Sequence, residues 1–229
     1  MREIQLADGI RDAATVILLR RENRSAPRVL MGQRNRNAIF MPAKFVFPGG
    51  AVDPQDHEIT PAQPLPAEEI ARLGVQSDPG LARALALAAI RELWEEAGLA
   101  LGKTGAPPSP VEPPSEWESF YSAGYRPDAS ALRFVYRAIT PPGKTRRYDC
   151  RFFLADAGAL ASDPDDFSRA SDELSELSWL SLPEAYRLDI PDITKMVLSE
   201  IELRLRAPSR PRPVHFHYVH EGRSFIERI

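Results

Sequence analysis

Three glutamates close together in one stretch are the residues of this chain most able to do chemistry. Residues 91–99 read R-E-L-W-E-E-A-G-L, with glutamates at positions 92, 95 and 96. On a helix these positions lie three and four residues apart, so the three carboxylates share one side of the last turns. Like charges at this spacing repel by roughly 0.2–0.5 kcal/mol per pair, and a helix C-terminus also disfavours negative charge. A hard divalent cation such as Mg²⁺ prefers oxygen ligands and would relieve that repulsion.

The helix that must carry these glutamates has a recognisable pattern of its own. An apolar stripe lies on another of its sides and consists of Ala86, Ile90, Leu93 and Ala97. Gly98 suits the left-handed position just after a helix C-terminus, and Asp78 followed by Pro79 suits a helix start. The pattern therefore predicts a helix over residues 79–97 that packs on a sheet through one face and is charged on the other.

A second stretch favours a metal site over the alternative of a solvated, glutamate-rich surface. Residues 45–53 read F-V-F-P-G-G-A-V-D, a strand that ends in a Pro-Gly-Gly turn with open backbone groups. Together the two stretches resemble the Nudix box, G-x5-E-x7-R-E-U-x-E-E-x-G-U, in which U is a bulky aliphatic residue. Gly50 would be the leading glycine, and residues 91–99 fill every defined position of the second half.

The first half of the box departs from the pattern. Asp56 stands where the pattern has glutamate, and Glu58 lies two residues further on, so either could replace it. Between Asp56 and Arg91 there are 34 residues, against seven in the pattern. Such an insertion is similar to the Nudix subgroup that includes the peroxisomal acyl-coenzyme A diphosphatases. We expect residues 57–80 to form a proline-rich loop and a short helix at 66–73, acting as a substrate lid, a selectivity element or a passive surface loop.

The resemblance implies a fold and a set of ligands. The fold is an α/β fold, a Nudix-type α/β/α sandwich with a central mixed sheet and an inserted loop-helix segment. Arg91 would hold the glutamates in place by ion pairing without touching the substrate. The implied ligands for Mg²⁺ or Mn²⁺ are Glu92, Glu95, Glu96 and the backbone carbonyl of Gly49 or Gly50.

A third segment, residues 171–188, contains further acidic candidates. It resembles the stretch of Nudix proteins in which an acidic loop leads into a strand with a tryptophan and a short helix that opens with Pro-Glu-Ala. Glu173 and Glu176 lie six and three residues before Trp179. The attacking water would be oriented or deprotonated by Glu92, Glu173 or Glu176, and the sequence does not choose between them. An acidic surface loop is the alternative interpretation of this segment.

Four arginines next to predicted strands are candidate phosphate ligands, because guanidinium groups bind phosphate bidentately. Apolar or alternating runs predict strands at residues 12–20, 28–34, 44–47, 132–140 and 145–155, helices at 117–125 and 193–206, and a loop at 102–114. The four candidate substrate-binding residues are Arg34, Arg36, Arg146 and Arg147. Arg151 lies on the same strand as the last two. Solvated surface arginines are the alternative for all of them.

Composition limits the classes of partner and location. At 229 residues and 43% hydrophobic content, the chain can bury the core of one domain, which we assign to residues 1–206, with a linker and strand-like arm at 207–229. A net charge of −3 disfavours a nucleic-acid partner. Cys150 is the only cysteine, which fits a cytoplasmic location, and no apolar run approaches the length needed to span a membrane.

The C-terminal arm contains histidines and could extend a sheet. His215 and His217 would share one face of a strand, but no cysteine or nearby carboxylate completes a tetrahedral zinc site. We expect the arm to close a sheet edge, either in the same subunit or in a partner of a homodimer.

The sequence leads to one leading function and two alternatives. The first is a divalent-metal-dependent hydrolase of a pyrophosphate bond in a small nucleotide-derived substrate. Coenzyme A or acyl-CoA is the leading substrate, giving 3′,5′-ADP and (acyl-)4′-phosphopantetheine, and ADP-ribose, NADH and dinucleoside polyphosphates stay open. The alternatives are a catalytically silent Nudix module that senses such a ligand, and a structural adaptor that uses the aromatic and proline-rich surface.

Overall fold

The computed structural model describes residues 9–21, 26–75, 77–78, 80–105, 113–208 and 212–229. In these residues a mixed nine-stranded sheet forms the centre of the molecule. Its main path runs β11-β10-β7-β8-β1-β2-β3, with β4 paired to β1 and β9 paired to β2. The strands are β1 (Ile10–Arg20), β2 (Arg28–Arg34), β3 (Phe45–Val46), β4 (Gly49–Ala51), β5 (Gly102–Thr104), β6 (Tyr125–Pro127), β7 (Arg133–Ile139), β8 (Arg147–Asp156), β9 (Leu174–Ser181), β10 (His215–His220) and β11 (Arg223–Arg228).

Helices cover both faces of this sheet. The alternation of side chains along β1 sends Val16 and Leu18 into one apolar cluster and Ile17 and Leu19 into another. The first cluster contains the central helix and the insertion, and the second contains the last two helices. The α/β/α sandwich with a mixed sheet is therefore confirmed. The helices are α1 (Ala67–Leu73), α2 (Leu81–Ala97), α3 (Ser115–Ser122), α4 (Leu182–Arg187) and α5 (Asp192–Arg206).

The central helix α2 is buried on nearly all sides and ends as predicted. Gly98 has φ 71° in the left-handed region, and its amide donates to the carbonyl of Trp94 at 2.8 Å. The helix begins at Leu81 after Gly80, two residues later than the predicted start at about residue 79. Oδ1 of Asp78 accepts from the amide of Gly80 in the turn that precedes the helix. Pro79 lies outside the described residues.

Other predicted boundaries differ from the structure by small amounts. The strand predicted at 44–47 is limited to Phe45–Val46, and the diglycine bend contributes a separate short strand, β4. The loop predicted at 102–114 begins with the short strand β5, which pairs with β6, and residues 106–112 lie outside the described part. The aromatic residues of α3 pack in the core, because Trp117, Phe120 and Tyr121 are all buried.

The arm after α5 extends the sheet of its own chain. β10 pairs in parallel with β7 and antiparallel with β11, so it covers the edge that β7 would otherwise expose. The division into a domain at 1–206 and an arm at 207–229 stays a proposal. None of the helices in the described residues is both long and apolar enough to cross a membrane.

Candidate active site

The last two turns of α2 lie against the diglycine bend of β4. β4 pairs with β1 so that Gly50 is opposite Ala14 and Gly49 is opposite Thr15. A Cβ atom on Gly50 would contact the carboxylate of Glu92, and one on Gly49 would lie 2.5 Å from the backbone carbonyl oxygen of Ala14. At position 49, only glycine allows the strand to approach β1 this closely.

The backbone of Gly49 faces the glutamates. The amide of Val16 donates to the carbonyl of Pro48, and the amide of Val52 donates to the carbonyl of Asp12. Hydrogen-bonded pairs alternate along an antiparallel ladder, so Gly49 occupies a non-hydrogen-bonded position opposite Thr15. Its N–H and C=O therefore point away from β1, and the N–H donates to Oε2 of Glu96 at 2.8 Å. The carbonyl oxygen of Gly49 consequently faces the same side as the carboxylates.

Arg91 uses all of its donors inside the protein. Its Nε and Nη2 hold both oxygens of Asp56, at 3.0 and 3.1 Å, and Nη2 also donates to the carbonyl of Ala51. Its Nη1 reaches Oε1 of Glu92 at 3.0 Å and Oε2 of Glu95 at 3.2 Å. Since a guanidinium has five N–H groups, no donor remains for a substrate. These contacts agree with the expected role of Arg91, which is to hold the glutamates in place without touching the substrate.

Asp56, and not Glu58, occupies the acidic position of the first half of the motif. Asp56 is fully buried in a 3₁₀ turn, Pro54–His57, and binds Arg91, whereas Glu58 is exposed. The sequence left this choice open. The signal that could have decided it is the capping box of the turn, in which the Asp56 carboxylate accepts from the amide of Asp53.

Burial and mutual repulsion in the carboxylate cluster outweigh the positive charge of Arg91. Burial raises the pKa of Glu92 to about 7; Arg91 opposes the rise, and the charges of Glu95 and Glu173 add to it. Burial and then the charge of Glu92 raise the pKa of Glu96 well above its ordinary value. Burial also raises the pKa of Glu95. These groups are oxygen donors short of a cation, which is the donor chemistry that a hard divalent ion requires.

The carboxylates do not converge on a common point in this arrangement. Among the described residues, no group of three His, Cys, Asp or Glu side chains is placed to hold a metal ion. The cause is visible in the contacts, since Glu92 and Glu95 face Arg91 while Glu96 faces the amide of Gly49. The type, burial and charge of the donor set fit a divalent ion, and reorientation of the Glu92 and Glu95 side chains would be needed to bind it.

Arg34 and Glu173 lie beside the cluster. Nη1 of Arg34 is 3.9 Å from Oε1 of Glu96, and its Nη2 is 3.9 Å from Oε2 of Glu173. Arg36 is exposed two residues beyond the end of β2. Glu176 is exposed at an irregularity in the pairing of β9 with β2, with φ 52°. The structure thus brings Arg34 and Glu173 to the site, and no described contact links Glu176 to it.

Three arginines lie in β8 or directly before it. Arg146 is exposed, and Nε of Arg147 donates to the carbonyl of Thr140. Arg147 pairs with Ile10 of β1, and Gly50 pairs with Ala14 of the same strand. Ile10 and Ala14 are four residues apart, which separates Arg147 from the diglycine bend by roughly 13 Å along the strand. The sequence left Arg151 as either a phosphate ligand or a solvated strand-edge residue, but the structure buries it. Its partners include the carboxylate of Asp12, the carbonyl and carboxylate of Asp149 and the hydroxyl of Ser77.

Comparisons with known proteins identify the family. No family model matches the chain. It is 30% identical over 183 residues to "Putative nudix hydrolase 7" of Caenorhabditis elegans, covering 76% of this chain and 52% of the relative. It superposes on a NUDIX hydrolase from Alicyclobacillus acidocaldarius with a TM-score of 0.63 and 26% identity, covering 86% of this chain and 96% of the other.

The chain belongs to the Nudix hydrolase superfamily. A further relative is "Acyl-coenzyme A diphosphatase NUDT19" of Gallus gallus, 29% identical over 209 residues, covering 69% of this chain and 54% of the relative. The chain spans about half the length of these curated relatives. Nudix hydrolases are pyrophosphohydrolases and generally need divalent metal ions. The cluster on α2 and β4 lies at the residues that resemble the Nudix box.

The insertion in this Nudix box packs beside the start of α2. Glu69 of α1 accepts from the amide of Phe134, the carbonyl of Val75 accepts from Arg137, and Ser77 accepts from Arg151. No hydrogen bond or ion pair recorded for residues 57–75, 77–78 and 80 involves the three box glutamates. The contacts favour an anchored element over a lid that covers the site.

The histidines of the arm have partners outside the Nudix box. Nδ1 of His215 is 3.3 Å from Oε2 of Glu200, and Nε2 of His217 is 2.7 Å from the hydroxyl of Ser224. A carboxylate therefore does lie near His215, contrary to the expectation from the sequence.

Proposed function

We propose that this protein is a divalent-metal-dependent hydrolase of the pyrophosphate bond in a nucleoside diphosphate linked to another group. The observation that carries the proposal is the meeting of Glu92 and Glu96 with the diglycine bend of β4, next to Glu95, which shares Arg91 with Glu92. A pyrophosphate carries negative charge on both phosphorus centres, and this charge repels an attacking oxygen nucleophile. A site that gathers oxygen ligands in a partly buried cluster meets the main requirement of this reaction.

We assign the roles of the residues as the family resemblance implies. Glu92, Glu95, Glu96 and the carbonyl of Gly49 would hold Mg²⁺ or Mn²⁺, which would neutralise the charge on the phosphates and orient the water. Arg91 keeps Glu92 and Glu95 on the same side of the helix and has no donor left for the substrate.

The water would be oriented or deprotonated by Glu92, Glu173 or Glu176. Proximity supports the first two, because Glu173 adds to the rise in the pKa of Glu92, whereas Glu176 has no recorded interaction with the cluster. Arg34 supports the placement of Glu173, since its guanidinium lies between Glu173 and Glu96.

Coenzyme A or acyl-CoA is the substrate that we favour, with 3′,5′-ADP and (acyl-)4′-phosphopantetheine as products. The support is the insertion within the box together with the similarity to a relative named as an acyl-coenzyme A diphosphatase. Arg34 is the candidate phosphate ligand nearest to the glutamates. Arg36 lies beyond it, and Arg146 and Arg147 would contact only a part of the substrate that extends toward the start of β8.

A catalytically silent sensor is the main alternative. The complete set of box glutamates argues against it, because a protein that only binds a ligand has no need of three mutually repelling carboxylates. The cytoplasmic location and the homodimer expected from the sequence stay predictions.

The test is a panel of substrates with identification of the products by mass. Coenzyme A, an acyl-CoA, ADP-ribose, NADH and a dinucleoside tetraphosphate are each incubated with the protein in Mg²⁺, in Mn²⁺ and in EDTA. We expect cleavage of coenzyme A or acyl-CoA at the pyrophosphate, with no product in EDTA. Absence of metal-dependent cleavage with every substrate would overturn the proposal. Cleavage of only ADP-ribose, NADH or the dinucleoside tetraphosphate would replace the favoured substrate.

Two isosteric variants complete the panel. Glu95→Gln should lower the turnover number by about 100-fold, because the loss of one ligand carboxylate costs about 3 kcal/mol of transition-state stabilisation. Glu95 is about one-third exposed, so the fold should survive. Glu118→Gln on the exposed side of α3 is the matched control and should behave as wild type. Equal activity of the two variants would show that Glu95 does not belong to the site.

A further inference from the structure

A tryptophan that lies far from the box in sequence contacts the buried half of the active-site network. Nε1 of Trp117 in α3 donates to Oδ1 of Asp56 at 3.1 Å. Both side chains are fully buried, and the two residues are 61 positions apart. A buried indole N–H needs an acceptor, and here the acceptor is the carboxylate that holds Arg91.

Each carboxylate oxygen of Asp56 accepts two hydrogen bonds. Oδ1 accepts from Nε of Arg91 and from the indole of Trp117, and Oδ2 accepts from Nη2 of Arg91 and from the amide of Asp53. The side chain of aspartate is one methylene shorter than the glutamate of the box pattern. It reaches Arg91 from a tight 3₁₀ turn, where two donors other than Arg91 fix its orientation.

The turn and α3 are joined by a second contact. Oε1 of Gln55 accepts from the amide of Glu116 at 3.0 Å, in the first turn of α3, where no side chain of the helix caps its own start. Gln55 and Asp56 therefore attach consecutive residues of the turn to consecutive residues of α3. This arrangement sets the position of the Trp117 indole relative to Asp56.

We propose that Trp117 is a positioning residue of the active site, which acts through Asp56 and Arg91 on the carboxylates of Glu92 and Glu95. The proposal rests on the proposed function, because it assigns Trp117 to the same cluster. Loss of the indole N–H would free the Asp56 carboxylate to turn, and Arg91 would then hold the two glutamates less firmly.

Trp94 provides a matched control in the same aromatic cluster. It is also buried, and its Nε1 donates to the hydroxyl of Ser119 at 2.8 Å. Both tryptophans pack edge-on against Phe120, with ring centroids 5.5 and 5.6 Å apart. Trp117→Phe and Trp94→Phe thus remove the same atoms from the same cluster, but only the first removes a donor to Asp56.

The experiment measures Mn²⁺ binding by calorimetry, turnover of coenzyme A and thermal unfolding for both variants. Trp117→Phe should weaken Mn²⁺ binding and lower kcat by about tenfold or more, with KM close to that of wild type. Trp94→Phe should leave both values within about twofold, although its melting temperature falls by a similar amount. Equal effects of the two variants on Mn²⁺ affinity and on kcat would overturn the assignment of Trp117.

A rescue variant separates positioning from packing. Asp56→Glu in the Trp117→Phe background restores the longer side chain of the box pattern in the space vacated by the indole ring. We expect this double variant to recover Mn²⁺ affinity relative to Trp117→Phe, because a longer carboxylate can reach Arg91 without the indole. The double variant also decides the matter if Trp117→Phe alone does not fold. A double variant that folds and is active supports the proposal. A double variant that folds but binds Mn²⁺ no better than Glu95→Gln overturns it.

Failure of this proposal and failure of the proposed function give different results. A wild-type protein that binds no Mn²⁺ and cleaves nothing refutes the function itself. A wild-type protein that binds Mn²⁺ while the two tryptophan variants match refutes only the role of Trp117.

Discussion

At the scale of single residues, the site depends on one buried aspartate and one buried arginine. Asp56 and Arg91 are both almost completely removed from water, and each satisfies the hydrogen-bonding groups of the other. Burial disfavours the charge of Arg91, but its hydrogen bonds to Asp56 and the charge of Glu92 raise its pKa, so it stays protonated. Asp56 therefore fixes the position of the Arg91 guanidinium beneath the glutamates.

Breaking this pair should cost both stability and activity. Asp56→Asn leaves a buried guanidinium without its carboxylate, which should lower the free energy of unfolding by about 3–5 kcal/mol. Urea unfolding measures this loss. Glu58→Gln, two residues away and exposed, is the control and should change stability by less than about 0.5 kcal/mol. A larger loss in the Glu58 variant than in the Asp56 variant would mean that the acidic position of the box is wrongly assigned.

The sequence revealed the residues of the site that are close together along the chain. The box glutamates, Gly98 and the diglycine bend follow from spacing, because helix and turn geometry act over a few residues. The contact of Trp117 with Asp56 depends on how α3 docks, and nothing in the local pattern around residue 117 reports that docking. Burial of Arg151 among Asp12, Asp149 and Ser77 was missed for the same reason.

At the scale of elements, the insertion packs into the hydrophobic core of the domain. Ile59, Leu65 and Leu73 are buried in the same apolar cluster as α2. Residues 62 and 129 also donate backbone hydrogen bonds across the junction between the insertion and the segment that follows β6. Removal of the insertion would expose this core, so its deletion would test stability before it tested substrate choice.

A single buried glutamate tests how firmly the insertion is anchored. Glu69→Ala leaves the amide of Phe134 without its acceptor and should lower the free energy of unfolding by about 1–3 kcal/mol in urea. Glu68→Ala, its exposed neighbour, should have a much smaller effect. Mn²⁺ affinity should stay within about twofold in both variants, because Glu69 has no recorded contact with the box glutamates. Equal stability of the two variants would show that the insertion is not held at this point.

Element boundaries were predictable where periodicity is strong. β2 spans Arg28–Arg34 as predicted, and α5 begins one residue before the predicted start. β5 was missed because its three residues, Gly-Lys-Thr, have no apolar alternation and become a strand only by pairing with β6. The start of α2 was misplaced because the Asp-Pro pair is typical of a helix start, while here Asp78 forms a turn with Gly80.

At the scale of the whole molecule, the C-terminal arm is attached to both the sheet and α5. Phe216 of β10 is fully buried, with the guanidinium of Arg137 over its ring at 4.2 Å. Glu200 of α5 is buried and binds Arg212 bidentately, at 2.8 and 3.0 Å. The arm therefore contributes to the core that supports β7.

The contribution of the arm can be measured with two phenylalanines. Phe216→Ala should lower the free energy of unfolding by about 3–5 kcal/mol, because it leaves a cavity beside Arg137. Phe225→Ala in β11 removes a half-buried ring and should cost clearly less. Near-ultraviolet and far-ultraviolet circular dichroism should give one shared transition for each variant. An early transition confined to one probe would mean that the arm unfolds separately from the sheet.

The central claim is that the carboxylates at the end of α2 form a site for a divalent ion, and calorimetric titration with Mn²⁺ tests it most directly. We predict that the wild-type protein binds Mn²⁺ and that Glu96→Gln, which keeps the size of this buried side chain, weakens binding by about tenfold or more. Glu118→Gln should titrate as wild type. The account would be contradicted by a wild-type protein that takes up no Mn²⁺, or by a Glu96 variant that binds it as tightly as wild type.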